Sequence, residues 1–132
     1  MSGGPFLDTG VLFARLDPRD DRHAIACLLY PGGPAWTTNF VIDEVLTLAL
    51  SRRGAVSALR VAEALWAPSP LHVERVTAQD ELAARRYFVG LAGAGASFTD
   101  CTSFAVVERL RLPAVLSFDR HFRLPGTFAV LP

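Results

Sequence analysis

The sequence of residues 97–122 is the most informative about the fold. It reads Ser97-Phe-Thr-Asp100-Cys-Thr-Ser-Phe-Ala-Val-Val-Glu-Arg-Leu-Arg-Leu-Pro-Ala114-Val-Leu-Ser-Phe-Asp119-Arg-His-Phe122. Asp100 follows a Ser/Thr cap and opens a helix, where the dipole of the first turn favours an anion. Asp119 comes just after a short apolar strand, and open α/β sheets bind their ligands at the carboxyl ends of strands. The stretch therefore predicts an α/β sheet with an acid at each of two junctions.

Two more acids occupy junctions of the same kind. Asp8 follows the apolar pair Phe6-Leu7, and Glu44 lies in the first turns of a helix that follows residues 35–38. Four like charges near strand ends and helix starts predict one cluster. Such a cluster stays ionised only if cations neutralise it, and divalent metal ions do so with carboxylate ligands.

Length and composition predict one soluble domain spanning residues 1–132. The chain is 51% hydrophobic and 20% charged, and its formal net charge is zero because thirteen arginines balance thirteen acids. The first residues lack a basic-then-apolar signal pattern, and no uncharged apolar run approaches the ~20 residues that span a bilayer. We therefore expect a cytoplasmic protein that does not contact a membrane. Cys27 and Cys101 show no disulfide or metal spacing.

Strands and helices alternate along the chain. Asp17-Pro18 predicts a helix start, and the helix should reach Leu29. Its expected apolar face consists of Ala24, Ile25, Leu28 and Leu29. Gly54 predicts the end of a helix that begins at Asn39. Thr77, with Asp80 three residues later, predicts a capping box at the start of another helix. The predicted strands are 5–9, 35–38, 71–76, 114–118 and 128–131, and the predicted helices are 17–29, 39–53, 55–66, 77–91 and 100–111. This alternation is typical of a parallel sheet with right-handed crossovers.

Helical periodicity orders the adjacent acids Asp43 and Glu44. At about 100° per residue, Glu44 shares a face with Val41 and Val45, whereas Asp43 turns to the flank of the helix. Glu44 is therefore predicted to point toward the sheet edge in apolar surroundings, where an unpaired charge is costly. Asp43 can remain in solvent or bind a neighbouring arginine.

The motifs together resemble the PIN-domain ribonucleases, and in particular the VapC-type toxins of prokaryotic toxin–antitoxin pairs. The resemblance rests on Phe-Leu-Asp8-Thr, Thr38-Asn39 with Asp43-Glu44-Val-Leu-Thr, Ser97-Phe-Thr-Asp100-Cys-Thr-Ser103, and Leu-Ser-Phe-Asp119-Arg-His-Phe. It implies a three-layer α/β/α domain with a central parallel sheet. It also implies divalent-metal-dependent endonucleolytic cleavage of RNA. The implied partners are a second copy of the chain, in a homodimer, and a small antitoxin protein.

The resemblance also assigns site residues. Asp8, Glu44, Asp100 and Asp119 match the acidic quartet of the family, and Thr9, Asn39, Thr99 and Ser103 match polar positions around it. Gly10 departs from the family pattern, because many relatives carry serine after Asp-Thr.

Metal-assisted hydrolysis of a phosphodiester fits these residues without the family. One or two Mg²⁺ or Mn²⁺ ions activate water, neutralise the phosphoryl oxygens and stabilise the leaving alkoxide. Asp8 and Asp100 are the expected direct ligands, Glu44 ligates or orients a metal-bound water, and Asp119 completes a second site. The candidate phosphate contacts are Arg15, Arg85, Arg86, Arg120 and Arg123.

Other functions share these residues. A binding or regulatory module without catalysis would keep the fold, although the complete quartet argues against it. A metal-dependent DNA nuclease or phosphatase would use the same chemistry at phosphorus. His23 and His72 lack partners at zinc-ligand spacing, and His121 beside a turn is read as structural.

Overall fold

Five short parallel strands form the central sheet. The computed structural model describes residues 3–132, and its strands lie side by side in the order β3-β2-β1-β4-β5, with every pair parallel. The strands are β1 (Phe6–Leu7), β2 (Ala35–Thr38), β3 (Leu71–Glu74), β4 (Ala114–Leu116) and β5 (Ala129–Leu131). The parallel α/β prediction is confirmed. Since β1 is the middle strand, the residue that follows it emerges at the centre of one sheet edge.

Five α-helices connect and cover the strands. They are α1 (Thr9–Leu16), α2 (His23–Leu29), α3 (Asn39–Trp66), α4 (Ala78–Leu91) and α5 (Phe98–Leu110), with 3₁₀ turns at Ala92–Ala94 and Arg120–Arg123. Helix α1 packs against α2 and α3, and α4 packs against α5. Gly54 interrupts α3 with φ of 80° and ψ of 178°, a conformation that glycine adopts without steric cost. The predicted break at Gly54 is therefore confirmed.

Capping boxes begin the two helices that flank the second half of the sheet. Thr77 caps α4 through Asp80, as predicted, and Ser97 caps α5 through Asp100. In each box the hydroxyl accepts the N–H of the acid, and the carboxylate accepts the N–H of the capping residue. The second box fixes Asp100 at the start of α5.

The core lies between the strands and the inner faces of the helices. Phe6 and Leu7 on β1 and Val115 and Leu116 on β4 are buried, and Phe104 of α5 stacks edge-on against Phe122. These neighbours hold the ends of β1 and β4 side by side. The residues that follow the two strands therefore emerge together.

The predicted helix start at Asp17-Pro18 is wrong. Asp17 follows the last turn of α1, residues 18–22 form turns, and α2 begins at His23. The Asp17 carboxylate accepts the Arg19 N–H and pairs with Arg53 of α3 at 2.7 Å, so it closes a turn and ties α1 to α3. The expected apolar face is also wrong: Ile25 and Leu28 are exposed, and Ala26 is the buried residue of α2.

The first predicted strand, 5–9, is shorter than expected. Only Phe6 and Leu7 pair, and Thr9 already begins α1. In residues 3–132, no helix combines the length and the apolar character that crossing a bilayer requires.

Candidate active site

A pocket of about 340 Å³ opens where β1 and β4 end. All four acids of the predicted quartet line it, so the structure brings together side chains that are up to 111 positions apart in sequence (119 − 8). The lining residues are Asp8, Thr9, Gly10, Arg22, Glu44, Asp100, Phe118 and Asp119.

Asp8 is fixed by a serine from the neighbouring strand. Leu7 pairs with Leu116, so the residues that follow them, Asp8 and Ser117, lie side by side. The buried Ser117 hydroxyl donates to Asp8 Oδ2 at 2.8 Å and accepts the Asp119 N–H at 3.0 Å. Ser117 thus ties two acids of the quartet together. Sequence reasoning missed it, although the strand register of β1 and β4 would have indicated it.

The electrostatics of the pocket disfavour a full set of negative charges. Burial raises the pKa of Asp8 to about 7, and the charges of Asp100 and Glu44 add to this effect while the Ser117 hydrogen bond opposes it. Burial also raises the pKa of Asp100, and the charges of Asp119 and Glu44 contribute. The cluster therefore favours taking up a proton or a cation.

Glu44 projects from α3 toward the pocket. The Thr9 hydroxyl donates a hydrogen bond to Glu44 Oε1, which links the first turn of α1 to α3. Asp43 is exposed and Glu44 is half-buried, so the predicted orientation of this adjacent pair is confirmed.

Asp100 uses its two carboxylate oxygens differently. Oδ2 accepts the Ser97 N–H at 3.0 Å within the capping box, while Oδ1 has no hydrogen-bond partner among residues 3–132. The cap therefore orients the carboxylate and leaves one oxygen available to a ligand. The carboxylate is buried at the wall of the pocket.

Asp119 forms a hydrogen bond with His121 and lies next to its ring. Asp119 Oδ1 accepts the His121 N–H at 2.8 Å and lies 2.6 Å from the ring Nδ1, while the ring Nε2 lies 3.0 Å from the Ala94 carbonyl. One ligand atom from each of Asp100, Asp119 and His121 lies within 4.8 Å of the others. His121, read as structural from the sequence, is therefore a neighbour of the acidic pocket.

The donor set fits a divalent cation. No arginine or histidine in residues 3–132 forms an ion pair with Asp8, Glu44 or Asp100. Carboxylate oxygens are the ligands preferred by hard ions such as Mg²⁺ and Mn²⁺. A cation would offset the burial and the repulsion that together raise the pKa of Asp8, and three of the acids are already oriented by hydrogen bonds.

Three predicted supporting residues lie outside the pocket lining. Asn39 Oδ1 accepts the Val76 N–H at 2.8 Å and so fastens the start of α3 to the end of β3. The Thr99 carbonyl accepts a hydrogen bond from the Thr102 hydroxyl, and the buried Ser103 hydroxyl has no hydrogen-bond partner among the described residues 3–132. Thr9 alone of the predicted polar set lines the pocket.

The candidate phosphate-binding arginines separate into three places. Arg15 donates to the carbonyls of Tyr30 and Pro31 and lies over the Tyr30 ring, so its guanidinium is engaged inside the fold. Arg85 and Arg86 are exposed on α4. A third pair, Arg120 and Arg123, lines a groove beside the acidic pocket.

Arg22 lines both that groove and the acidic pocket, and sequence reasoning missed it. Its position depends on the turns between α1 and α2. Those turns follow from the pairing of Asp17 with Arg53, which no local pattern indicates.

This chain is similar to known proteins along nearly its full length. A model of the PIN domain matches residues 6–126. The 23S rRNA-specific endonuclease VapC20 of Mycobacterium tuberculosis is 34% identical over 129 residues, which are 96% of this chain and 98% of that protein. The matched segment contains all four acids of the pocket.

Solved structures agree with this result. The crystal structure of Mycobacterium tuberculosis VapC20, a Sarcin-Ricin loop cleaving toxin, superposes with a TM-score of 0.86 at 32% identity over 98% of this chain and 100% of that chain. DNA-bound VapBC from Salmonella typhimurium superposes with a TM-score of 0.72 at 16% identity, over 97% of this chain and 96% of that chain. A toxin–antitoxin complex from Klebsiella pneumoniae gives 0.69 at 14%, over 98% and 97%. The last two likenesses concern the fold alone.

Proposed function

This chain belongs to the PIN-domain family, and from that premise we propose that it is a divalent-metal-dependent endoribonuclease acting as the toxin of a toxin–antitoxin pair. The observation that carries the proposal is that four carboxylates, from α3, α5 and the segments that follow β1 and β4, converge on one pocket. Within residues 3–132, no arginine pairs with Asp8, Glu44 or Asp100. Structural acids are normally paired or solvated, whereas these crowd one another.

The residues of the pocket have separable roles in this proposal. Asp8 and Asp100 would hold Mg²⁺ or Mn²⁺ directly, Glu44 would ligate the ion or orient a water molecule beside it, and Asp119 would complete the acidic wall. When bound, the metal activates water and neutralises charge on the phosphoryl oxygens. Ser117, Thr9 and the Ser97 N–H each fix one of these carboxylates, so the oxygen ligands need little rearrangement to receive the ion.

RNA is the proposed substrate. VapC20 is named for its action on 23S rRNA, and this chain matches it along 96% of its length. A ribosomal RNA segment is therefore the first substrate to test. Single-stranded DNA and a phosphomonoester, assayed beside it, distinguish the ribonuclease from a DNA nuclease or a phosphatase.

A small antitoxin and a second copy of this chain are the proposed partners. Relatives of the same fold have been solved as toxin–antitoxin complexes, which supports the antitoxin. The second half of α3 presents Val56, Leu59 and Trp66 to solvent, each more than 60% exposed. An exposed apolar face of this kind usually marks an interface, and we assign it to a homodimer.

The test of the activity is RNA cleavage by purified protein with Mg²⁺ or Mn²⁺ and with excess EDTA. We expect cleavage only with metal, and we expect Asp8→Asn and Asp100→Asn to lower the rate by orders of magnitude while the fold is kept. Glu81→Gln, at an exposed position of α4, is the matched control. Full activity in EDTA would overturn the metal mechanism.

The biological role has a separate test. Expression without an antitoxin should arrest growth, and Asp8→Asn should relieve the arrest. Mapping the RNA ends produced by the wild type and by Asp8→Asn would identify the cleaved site. Harmless expression of an active nuclease would count against the toxin role and leave the nuclease intact.

A further inference from the structure

A groove of about 350 Å³ adjoins the acidic pocket, and three arginines line it. The groove and the pocket share Arg22, Phe118 and Asp119, so they are continuous. The groove is lined by Arg22, Ile25, Ser117, Phe118, Asp119, Arg120, Arg123 and Pro132. Because three arginine side chains and one acidic side chain line the groove, its side chains carry the opposite charge to those of the pocket.

Arg22 stands at the boundary of the two. Its guanidinium carbon lies 4.9 Å from the centroid of the Phe118 ring, a cation–π arrangement that orients the planar group. Its backbone N–H donates to Asp20, which fixes the turn before α2. Among residues 3–132 the Arg22 side chain forms no ion pair and no hydrogen bond, so its five donors are available to a ligand.

The two other arginines close the far side of the groove. Arg123 donates to the Pro132 carbonyl, which holds its guanidinium at the wall. Arg120 is exposed at the first position of the 3₁₀ turn and forms no ion pair in the described part of the chain. Arginine binds phosphate through a planar fork of donors, and two such forks here are free of carboxylate partners.

We propose that this groove binds the backbone phosphate of the nucleotide next to the scissile bond, and that Arg22 is the residue that sets the register of the RNA on the acidic pocket. The proposal rests on the proposed ribonuclease function. An RNA strand that crosses from groove to pocket passes from guanidinium groups to carboxylates. The guanidinium groups can hold an uncleaved phosphate, while the carboxylates can hold only a phosphate whose charge is neutralised by metal.

Two other interpretations of Arg22 are outcomes of the test. As an internal counterion of the acids, Arg22 would pair with Asp119, yet no such ion pair forms although both line the same cavities. As a contact for an acidic segment of an inhibitory protein, Arg22 would have no effect on RNA binding.

The experiment measures binding of a labelled single-stranded RNA in Mg²⁺, using Glu44→Gln as a background in which cleavage is expected to be strongly reduced. We expect Arg22→Ala to raise Kd roughly tenfold or more. It should also lower the slope of log Kd against log salt by about 0.7, the value of one phosphate contact on a single strand. Arg22→Lys should recover part of the affinity, because it keeps the charge but loses the fork.

Arg60→Ala is the charge-matched control, since Arg60 is exposed on α3 and lines neither the groove nor the pocket. Arg120→Ala is a second variant at an exposed site where loss of the side chain leaves the fold intact. Circular dichroism checks each fold. A calorimetric titration of Mn²⁺ without RNA tests whether Arg22 is instead an internal counterion of the acids. In that case Arg22→Ala would bind the metal more tightly, and the salt dependence of RNA binding would not change.

The outcomes are distinguishable. If the wild type cleaves RNA but Arg22→Ala and Arg120→Ala bind and cleave like Arg60→Ala, the groove proposal is overturned and the ribonuclease stands. If the wild type does not cleave RNA but Arg22→Ala still lowers the affinity and the salt slope, the ribonuclease proposal is overturned. The groove then remains a binding site for RNA phosphate. If Arg22→Ala does not fold, Arg22→Lys and Arg120→Ala decide by the same measurements.

Discussion

At the residue scale, Asp8 connects metal binding to stability. Its folded pKa of about 7 lies well above the value of about 3.9 expected in an unfolded chain. Between these values the native protein holds a proton that the unfolded chain has lost. Stability of the metal-free protein therefore falls as pH rises through this window and levels off above pH 7.

We predict that Asp8→Asn removes this dependence. In EDTA at pH 8 the variant should be more stable than the wild type by a few kcal/mol, and near pH 4 the two should converge. Mg²⁺ at pH 8 should raise the melting temperature of the wild type and leave that of Asp8→Asn nearly unchanged, because the variant lacks the charged ligand. Thermal melting monitored by circular dichroism across this pH range measures both effects.

The matched control for Asp8→Asn is again Glu81→Gln. It should follow the wild type at every pH and respond fully to Mg²⁺. A wild-type melting temperature in EDTA that stays level between pH 5 and pH 8 would contradict the raised pKa of Asp8.

Glu44 and Asp43 provide a second comparison at this scale, within one pair of neighbours. Glu44 faces the pocket and accepts the Thr9 hydroxyl, while Asp43 is exposed. We predict that Glu44→Gln strongly reduces RNA cleavage, whereas Asp43→Asn changes the rate by less than about tenfold, roughly 1.4 kcal/mol of barrier. Initial rates at saturating Mg²⁺ test this. The reverse pattern would show that the cleavage site is not the pocket described here.

Sequence reasoning found the four acids of the pocket and missed Ser117, which joins two of them, and Arg22, which lines the pocket beside them. Asp8 and Asp119 are each found from their own flanking strand, because an acid just after an apolar run is a local pattern. Ser117 matters only through the pairing of β1 with β4, and Arg22 only through the turns that Asp17 closes. Both depend on contacts between segments far apart in the chain.

At the element scale, Arg109 fastens α5 to α4 and β3. Its guanidinium binds both carboxylate oxygens of Asp80, at 2.8 and 2.9 Å, and Glu74 at 2.9 Å. Asp80 is also the acid of the capping box at Thr77. Burial acts to raise the pKa of Asp80, but the hydrogen bonds from Arg109 and Thr77 outweigh it and leave that pKa below its usual value.

We predict that Arg109→Met destabilises the protein by about 3 kcal/mol at pH 7, because Asp80 is left buried without its cation. The stabilisation from Asp80 is present above its unfolded pKa of about 3.9 and is lost as pH falls through its lower folded pKa. Wild type and variant should therefore converge below pH 4. Urea unfolding at several pH values measures the difference. Arg86→Met, exposed on α4, should change stability little, and an equal loss in both variants would contradict the clamp.

Elements with local signals were predicted well. The break at Gly54 and the capping box at Thr77 depend on residues within one turn, and both are confirmed. The start of α2 was misplaced because Asp17 has the sequence of an N-cap but is held by Arg53 from α3. A long-range ion pair outweighed the local preference there.

At the scale of the whole molecule, the acidic pocket is built from one copy of the chain. Every carboxylate of the quartet comes from the same polypeptide, and the apolar face of α3 that we assign to a homodimer has no residue in the pocket lining. Dimer formation and cleavage are therefore separable in this structure. The separation allows the dimer to be tested without loss of the nuclease.

We predict that the protein sediments as a dimer at micromolar concentration and that Leu59→Glu makes it a monomer. Leu59 is 62% exposed between Val56 and Trp66, which lie three residues before it and seven after it and so share its face. A glutamate buried there against the partner would be unpaired, and its desolvation would oppose association. Val89→Glu, at an exposed apolar site of α4, is the control and should remain a dimer.

The monomer should retain metal-dependent cleavage, because its four acids are intact. A wild type that sediments as a monomer would reject the homodimer, and dissociation by Val89→Glu alone would move the interface from α3 to α4.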